Sequence, residues 1–249
     1  MNKAVRPKIP ADFSYSIGWT PVILYHAETQ LRDLDVYLSL AVASVSFAQD
    51  DLIVETGRIH LSNGAVNAEI DEEDRHPPCR HYEEEYNRRF NFFPSILYSG
   101  VLTSAYALFE TSLVSLCTSI EKDEKIQKVY PSQAGRRTAV ARSAEFLLRN
   151  FELDITKSQH WSRILDYYKV RNCFVHASGD VLLLKNVHGT SLRAFVVHEA
   201  GAGISIDGND RLKIAPEFVR AVIDCLKRFW PELTQACCAN ATLGPRFWP

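Results

Sequence analysis

The chain reads as a mainly α-helical protein with a small antiparallel β appendage placed before its last helix. Three observations lead there. Long stretches carry apolar residues at three- and four-residue spacing, short alternating runs separated by Gly-containing turns follow Gly179, and a segment opened by Pro216 is helical in pattern near the end. The composition suits a packed body: of 249 residues, 46% are hydrophobic and 23% charged, which excludes global disorder. No internal repeat or low-complexity linker interrupts it, so residues 1–249 are expected to form a single domain.

Residues 1–25 contain Pro7, Pro10 and Pro21 and read as irregular. Glu28 to Ile53 reads as a helix, with Leu31, Leu34, Leu38, Val42 and Val45 at helical spacing. Residues 55–81 hold Gly57, Asn63-Gly64 and Pro77-Pro78, which predict turns, a short hairpin and an exposed loop. Pro94 suits a first helical turn and opens a helix to Ile120. In it Tyr98, Leu102, Ala105, Phe109, Leu113, Leu116 and Ile120 form one stripe, and Val101, Leu108 and Val114 make other faces apolar too, as in a central buried helix. It is long enough to span a bilayer, but nine Ser/Thr hydroxyls and Glu110 within it argue for a core helix instead.

Further helices are expected from Gly135 to Phe151 and from Ser158 to His176 or Ala177, the second closed by Gly179. These complete a helical core over 28–177. Asp180–Lys185, Leu192–His198, Ile204–Asp207 and Arg211–Ile214 read as short strands, giving a β appendage over 180–214. The last helix, within 216–235, runs from Pro216 through Cys225 to Trp230, where Pro231 limits it. The tail from Ala236 to Pro249 carries no readable pattern.

Net charge is only −2, so no field over the whole molecule draws it to nucleic acid or membrane. The charge is uneven, however. Lys125 to Arg171 holds ten Lys/Arg against four Asp/Glu, whereas Glu69 to Glu85 holds eight acids against two Arg. The acidic run reads as solvated surface. The six cysteines, Cys79, Cys117, Cys173, Cys225, Cys237 and Cys238, show neither CxxC nor zinc-ligand spacing. The opening MNKAVRPKIPADFSYS has no apolar run of the secretory kind, so a cytoplasmic, reducing location without membrane insertion is expected.

The basic segment leads into Arg171-Asn172-Cys173-Phe174-Val175-His176. Arg-x4-His alone is a weak pattern, and Arg193 to His198 repeats it. That copy reads as a strand, where an odd separation points the two side chains to opposite faces, so it is set aside as structural. On a helix turning about 100° per residue, Trp161, Ile164, Leu165, Tyr168 and Val175 form an apolar stripe with Asn172 near its middle and Arg171 and His176 at its edges. Polar groups on a packed surface need partners, so an active-site crevice or a subunit interface is expected there.

The chemistry of the set is specific. Histidine exchanges a proton with a ribose 2′-hydroxyl or a leaving 5′-oxygen, and the last turn of a helix places His176 at the negative end of the dipole. Arginine offers a fork of donors for a phosphate, stabilising charge as it builds on phosphorus. Asn172 lies four residues before His176 and can orient its ring. Arg171 and His176 are about 140° apart around the helix, so convergence needs Arg's reach, a distorted helix end or a second subunit. The attacking hydroxyl belongs to the substrate, so no metal or other cofactor is demanded. Glu110, alone among apolar residues, reads either as a buried acid with a structural partner or as a tuning group. Arg136, Arg137 and Arg142 are candidates to track an RNA backbone.

Arg-Asn-x-x-x-His at a helix end resembles the HEPN superfamily of ribonucleases, helical domains of toxins, anti-phage systems and RNA-processing factors. Ser104-Ala-Tyr-Ala-Leu-Phe-Glu110-x-x-Leu113-x-x-Leu116-Cys117 is similar to the central helix of that family. The resemblance spans roughly Glu28 to Ala177 and implies a HEPN-like bundle. It also implies a homodimer with motif helices facing across one cleft, RNA as substrate, and metal-independent cleavage leaving a 2′,3′-cyclic phosphate. A role as toxin or defence effector, with an antitoxin or defence-system partner, comes with the resemblance alone. Ser178 stands where members paired with a nucleotidyltransferase antitoxin carry Tyr, so that branch is not supported. The alternatives are a non-catalytic module of the same shape, used for dimerisation or RNA or nucleotide binding, and a structural protein whose Arg and His make interface salt bridges.

Overall fold

The computed structural model describes residues 19–66, 83–122, 128–131 and 138–243. Among them are six α-helices: α1 (Trp19–Val66), α2 (Phe93–Glu121), α3 (Ala139–Phe151), α4 (Trp161–Ala177), α5 (Asn186–His198) and α6 (Pro216–Ala239). One antiparallel pair, β1 (Ile204–Ile206) and β2 (Leu212–Ile214), precedes α6, with Ser205 opposite Lys213. The mainly helical class with a small β appendage before the last helix is therefore the architecture observed.

The chain groups into two compact units. One comprises the described parts of Met1–Leu31, Ala107–Arg163 and Cys225–Pro249, the other those of Arg32–Tyr106 and Ile164–Asp224. Each crossing between units falls inside a helix, namely α1, α2, α4 or α6. No Gly/Pro-rich linker marks them in the sequence for that reason.

The first unit is built on aromatic packing. Phe109 of α2 meets Phe229 at 5.4 Å and Trp230 at 5.6 Å on α6, and Trp161 at the start of α4 meets Phe229 at 6.2 Å. Such pairs add roughly 0.5–1.5 kcal/mol each beyond the area they bury. Thr138 caps α3 by accepting the Ala141 N–H at 3.1 Å, and Asn240 closes its other end by donating to the Phe151 carbonyl at 2.6 Å. Glu232 on α6 holds the turn before α4. It accepts from the Ser158 hydroxyl at 2.6 Å and from Gln159 at 3.0 Å, and pairs with His160 at 3.3 Å.

The second unit packs Leu38, Ala41, Val45 and Leu52 of α1, Tyr98, Val101, Leu102 and Ala105 of α2, and buried faces of α4, α5 and α6. Tyr167, Phe195 and Phe218, one from each of α4, α5 and α6, form a triangle of edge-on rings at 5.8–6.4 Å. A π-helical segment, Asn87–Phe92, leads straight into α2. It is stapled to α1 by Arg89, which donates to the Ala48 carbonyl and Asp51 and also bonds Glu85, at 3.1–3.2 Å.

Several expected elements differ. α1 begins at Trp19 rather than Glu28, because Pro21 sits in its first turn, where no intrahelical N–H is required. Residues 1–18 lie outside the described residues. α1 also continues to Val66 through Gly57 and Asn63-Gly64, where turns were expected. Each glycine costs a helix only about 1 kcal/mol, too little to stop a long one. The rest of the expected loop, from 67 on, is outside the described residues as far as 82.

Asp180–Lys185 is not a strand. Asp180 makes one bridge to Arg211, and its side chain then accepts the Leu182 N–H at 2.9 Å, starting a 3-10 turn over Val181–Leu183. Leu192–His198, also expected as a strand, is the second half of α5. Leu192, Phe195 and Val196 are buried at helical spacing while Val197 is 76% exposed, so tertiary packing overrides β-propensity. Pro231 does not end α6, which runs on to Ala239. The proline ring is on the exposed side, while Trp230, Leu233 and Cys237 keep the continuing helix anchored.

α1 and the segment from Glu83 to Glu121 each contain a stretch long and apolar enough to cross a membrane, by length and composition. The second includes the helix expected from Pro94 to Ile120, whose Leu102, Phe109, Leu113 and Leu116 are fully buried in the protein.

The bond from Ser158, then those from Gln159 and the nearby His160, hold the Glu232 carboxyl below the ordinary carboxylate range. A depressed folded value means a contribution present above the unfolded Glu value of about 4.3 and lost as pH falls through the folded one. Urea denaturation should therefore find Glu232→Gln less stable than wild type at pH 7, with the difference closing on acidification below about pH 4. A constant difference at every pH would contradict the assignment.

Candidate functional site

α4 buries a face different from the one its apolar spacing suggests. Its buried positions are Trp161, Ile164, Tyr167, Val170, Cys173 and, four residues on, Ala177. Three residues advance about 300°, so the buried face winds round the helix by about 60° per step. By the C-terminal half it lies opposite the expected stripe, and Leu165 and Val175 are 39% and 44% exposed. Arg171, Asn172 and His176 therefore do not interrupt packed core. Arg171 and Asn172 are half-buried and His176 is exposed, on an open face.

That face forms one side of a cleft of about 380 Å³. Tyr168, Asn172 and His176, at four-residue intervals, line it from α4 together with Lys169. Leu183, Leu184, Lys185 and His188 line it from the 3-10 turn and the start of α5. Two lysines and two histidines thus share one cleft, and among the described residues no carboxylate lines it. Lys169 is partly neutralised by Asp166 at 2.7 Å. Tyr168 is steadied from behind by the Tyr106 ring at 5.8 Å.

Local backbone fixes the two sides. α4 ends where Ser178 and Gly179 take positive φ, 50° and 82°. The Gly179 N–H returns to the Cys173 carbonyl at 3.0 Å, and the Asp180 N–H to that of Ala177 at 2.8 Å. Gly179 is required there, since a Cβ would also meet the Phe174 ring at 3.3 Å. On the other side Gly189 lets the first turn of α5 approach the Val181 carbonyl, which a Cβ would meet at 3.3 Å.

Arg171 Nη1 donates to Asn172 Oδ1 at 2.9 Å. Arginine has only donors, so the amide oxygen must face it. Arg171 Nε is buried without a hydrogen-bond partner, and among the described residues no carboxylate pairs with this guanidinium. A half-buried charge without a counter-charge is costly, so Arg171 is poised to gain from an anion.

The second Arg-x4-His copy differs in this respect. It lies on α5, so the strand argument for setting it aside does not hold. Arg193 is instead paired with Asp210 at 2.7 Å, and His198 with Glu199 at 2.9 Å. A wider cleft of about 550 Å³ borders Phe174 of α4 and Ser178 just after it, but its cations are engaged. Arg211 donates to the Ser178 carbonyl at 3.2 Å and lies 3.9 Å from Asp180, and Lys213 pairs with Asp207 at 3.5 Å.

Of the residues singled out from sequence, Asn172 and His176 line the same cleft, and Arg171 adjoins it through Asn172. Glu110 is half-buried on α2, is not a cleft residue, and belongs to the first unit, whereas Arg171 and His176 belong to the second. Arg142, also of the first unit, has a buried Nε rather than a solvated one. Arg136 and Arg137 lie outside the described residues. Sequence reasoning missed Tyr168 and Lys169, although they precede Asn172 by four and three residues, missed Lys185 as the end of an expected strand, and missed His188 because its stretch reads as a polar turn. Among the described residues no group of three or more His, Cys, Asp or Glu is placed to hold a metal ion. Comparison with family models, curated proteins and solved structures finds no match for this chain.

Cys173, within the motif, is fully buried; burial, with a contribution from Asp180, pushes its thiol up to about 11. Burial pushes Cys117 up to about 12 and Cys225 up to about 11. Because the thiolate is the reactive form, iodoacetamide at pH 8 should modify half-exposed Cys238 in the native protein but leave Cys117, Cys173 and Cys225 untouched until urea is added. Adduct mapping by mass spectrometry checks this, and rapid native labelling of Cys173 would contradict a closed end of α4.

Proposed function

We propose that the chain is a metal-independent endoribonuclease of HEPN type, cleaving RNA to a 2′,3′-cyclic phosphate. The observation that carries this reading is the cleft itself: His176 and Asn172 line it beside two lysines, and Arg171, without a carboxylate partner among the described residues, is tied to it through Asn172. A phosphodiester supplies the missing negative charge. Arg171 and the Asn172 amide hold the phosphate, and His176 transfers protons between the 2′-hydroxyl, the leaving 5′-oxygen and solvent. Exposed Leu183 and the Tyr168 ring give apolar surface on which a ribose or base can rest. The reaction needs no nucleophile from the protein, which suits a site without an activated Ser or Cys.

A homodimer belongs to this reading. Leu40, Phe47 and Val54 of α1, seven residues apart, are 62%, 75% and 53% exposed, and an apolar row of this kind suits a second chain. Glu110 and the arginines at 136, 137 and 142 are left without a part in the chemistry. A cytoplasmic toxin or defence effector, with an inhibitory or activating partner, is the setting implied.

Purified protein incubated with total RNA in EDTA should yield fragments ending in 2′,3′-cyclic phosphate. His176→Ala should slow cleavage by about 10²–10⁴-fold, the usual worth of a proton-transfer group. Arg171→Ala should also be strongly impaired, with Arg171→Lys recovering only part of the loss because an ammonium lacks the planar fork. Absence of cleavage by the wild type, or equal rates for wild type and His176→Ala, would remove the enzyme reading.

A further inference from the structure

His188 shares the cleft with His176 and has no role in the reading above. We propose that His188 is the second proton-transfer residue of the same site, the general base, with His176 as the general acid, so that one chain carries both groups. This rests on the ribonuclease reading.

The two imidazoles come from helix ends of opposite polarity. His176 is the penultimate residue of α4 and His188 the third of α5. A cation is better placed at the C-terminal end of a helix than at the N-terminal end. The chemistry needs one imidazole as acid and one as base, and the cleft holds two, one from each side. The groups facing His188 across the cleft are Tyr168, Lys169 and His176 of α4, with Lys185 beside it on its own segment. The lysines add positive charge where the phosphate lies, and among the described residues no carboxylate of the cleft competes for the protons.

The step balances without any co-reactant. His188 takes the proton of the 2′-hydroxyl as O2′ bonds to phosphorus. The bond from phosphorus to O5′ breaks, and O5′ takes the proton carried by His176. The products are a 2′,3′-cyclic phosphate and a 5′-hydroxyl, and the two histidines have exchanged protonation states.

The test compares wild type, His176→Ala, His188→Ala and His188→Gln on two substrates in EDTA. One is total RNA. The other is the set of four nucleoside 3′-(4-nitrophenyl phosphates), whose leaving group departs without a proton. On RNA each single variant should lose about 10²-fold or more. On the aryl esters His176→Ala should recover to within a few-fold of wild type, while both His188 variants stay impaired. The wild-type pH–rate profile on RNA should be bell-shaped, with His188→Gln losing the acid-side fall and His176→Ala the alkaline-side fall. Thermal melting confirms that the exposed His188 can be replaced without unfolding. Wild-type rates for both His188 variants on RNA, or their recovery on the aryl esters, overturns the role of His188 while leaving the ribonuclease reading intact. Absence of RNA cleavage by the wild type overturns both.

Discussion

Everything about the cleft depends on the triangle of Tyr167, Phe195 and Phe218. It locks α4 to α5 and α6 within the second unit, and so sets the distance between the two sides of the cleft. Tyr167 is buried in the triangle while its neighbour Tyr168 lines the cleft. One helix thus anchors with one residue and presents the site with the next, because adjacent side chains diverge by about 100°. Sites borne on packed helices keep their geometry better than sites on loops. His176 inherits that rigidity directly, and His188 inherits it through the close approach at Gly189.

Charge balance distinguishes this place from others on the same unit. Arg89, Arg193 and Arg211 are comparable cations, and each has a carboxylate within salt-bridge distance. Such pairs contribute little to stability when solvent-exposed, but they leave no unmet demand. Arg171 is different, with an amide oxygen as its partner and a buried Nε left over. An amide oxygen aligns a guanidinium without neutralising it. Folding therefore maintains an oriented positive charge beside a cleft already rich in lysine and histidine, an arrangement that favours a ligand bringing its own negative charge.

The class of the fold was legible because it rests on periodicity, and the long helices state theirs plainly. α2 was readable almost to the residue: Pro94 and the stripe from Tyr98 to Ile120 need no tertiary information. What was not legible depended on packing between distant segments. Leu192–His198 carries the β-branched and aromatic residues of a strand, and only the burial of Leu192, Phe195 and Val196 on one side makes it helical. In α4 the winding of the buried face hid the orientation of the motif, because the periodicity argument assumes one straight stripe. The motif was thus found for partly wrong reasons: Asn172 stands out as polar on an apolar stripe, yet that stripe borders open space. His188 was illegible for a simpler reason, since nothing local in a polar stretch reports what it will face.

The short connection between α4 and α5 turns these separate facts into one constraint. Residues 178–185 join the two helices through two positive-φ residues and a 3-10 turn capped by Asp180. The last turn of α4 and the first turn of α5 both line the cleft. The negative end of α4 and the positive end of α5 therefore border the same cleft, whatever residues line it. Such a pair of helix ends presents opposite partial charges to one ligand. Side chains at the ends can exploit the difference only if they reach the same bound phosphodiester, and His176 and His188 line one cleft of about 380 Å³. Under the proposed reading the task of a second copy changes: it would not complete the proton transfers, but would close the cleft and supply charge along a longer nucleic acid.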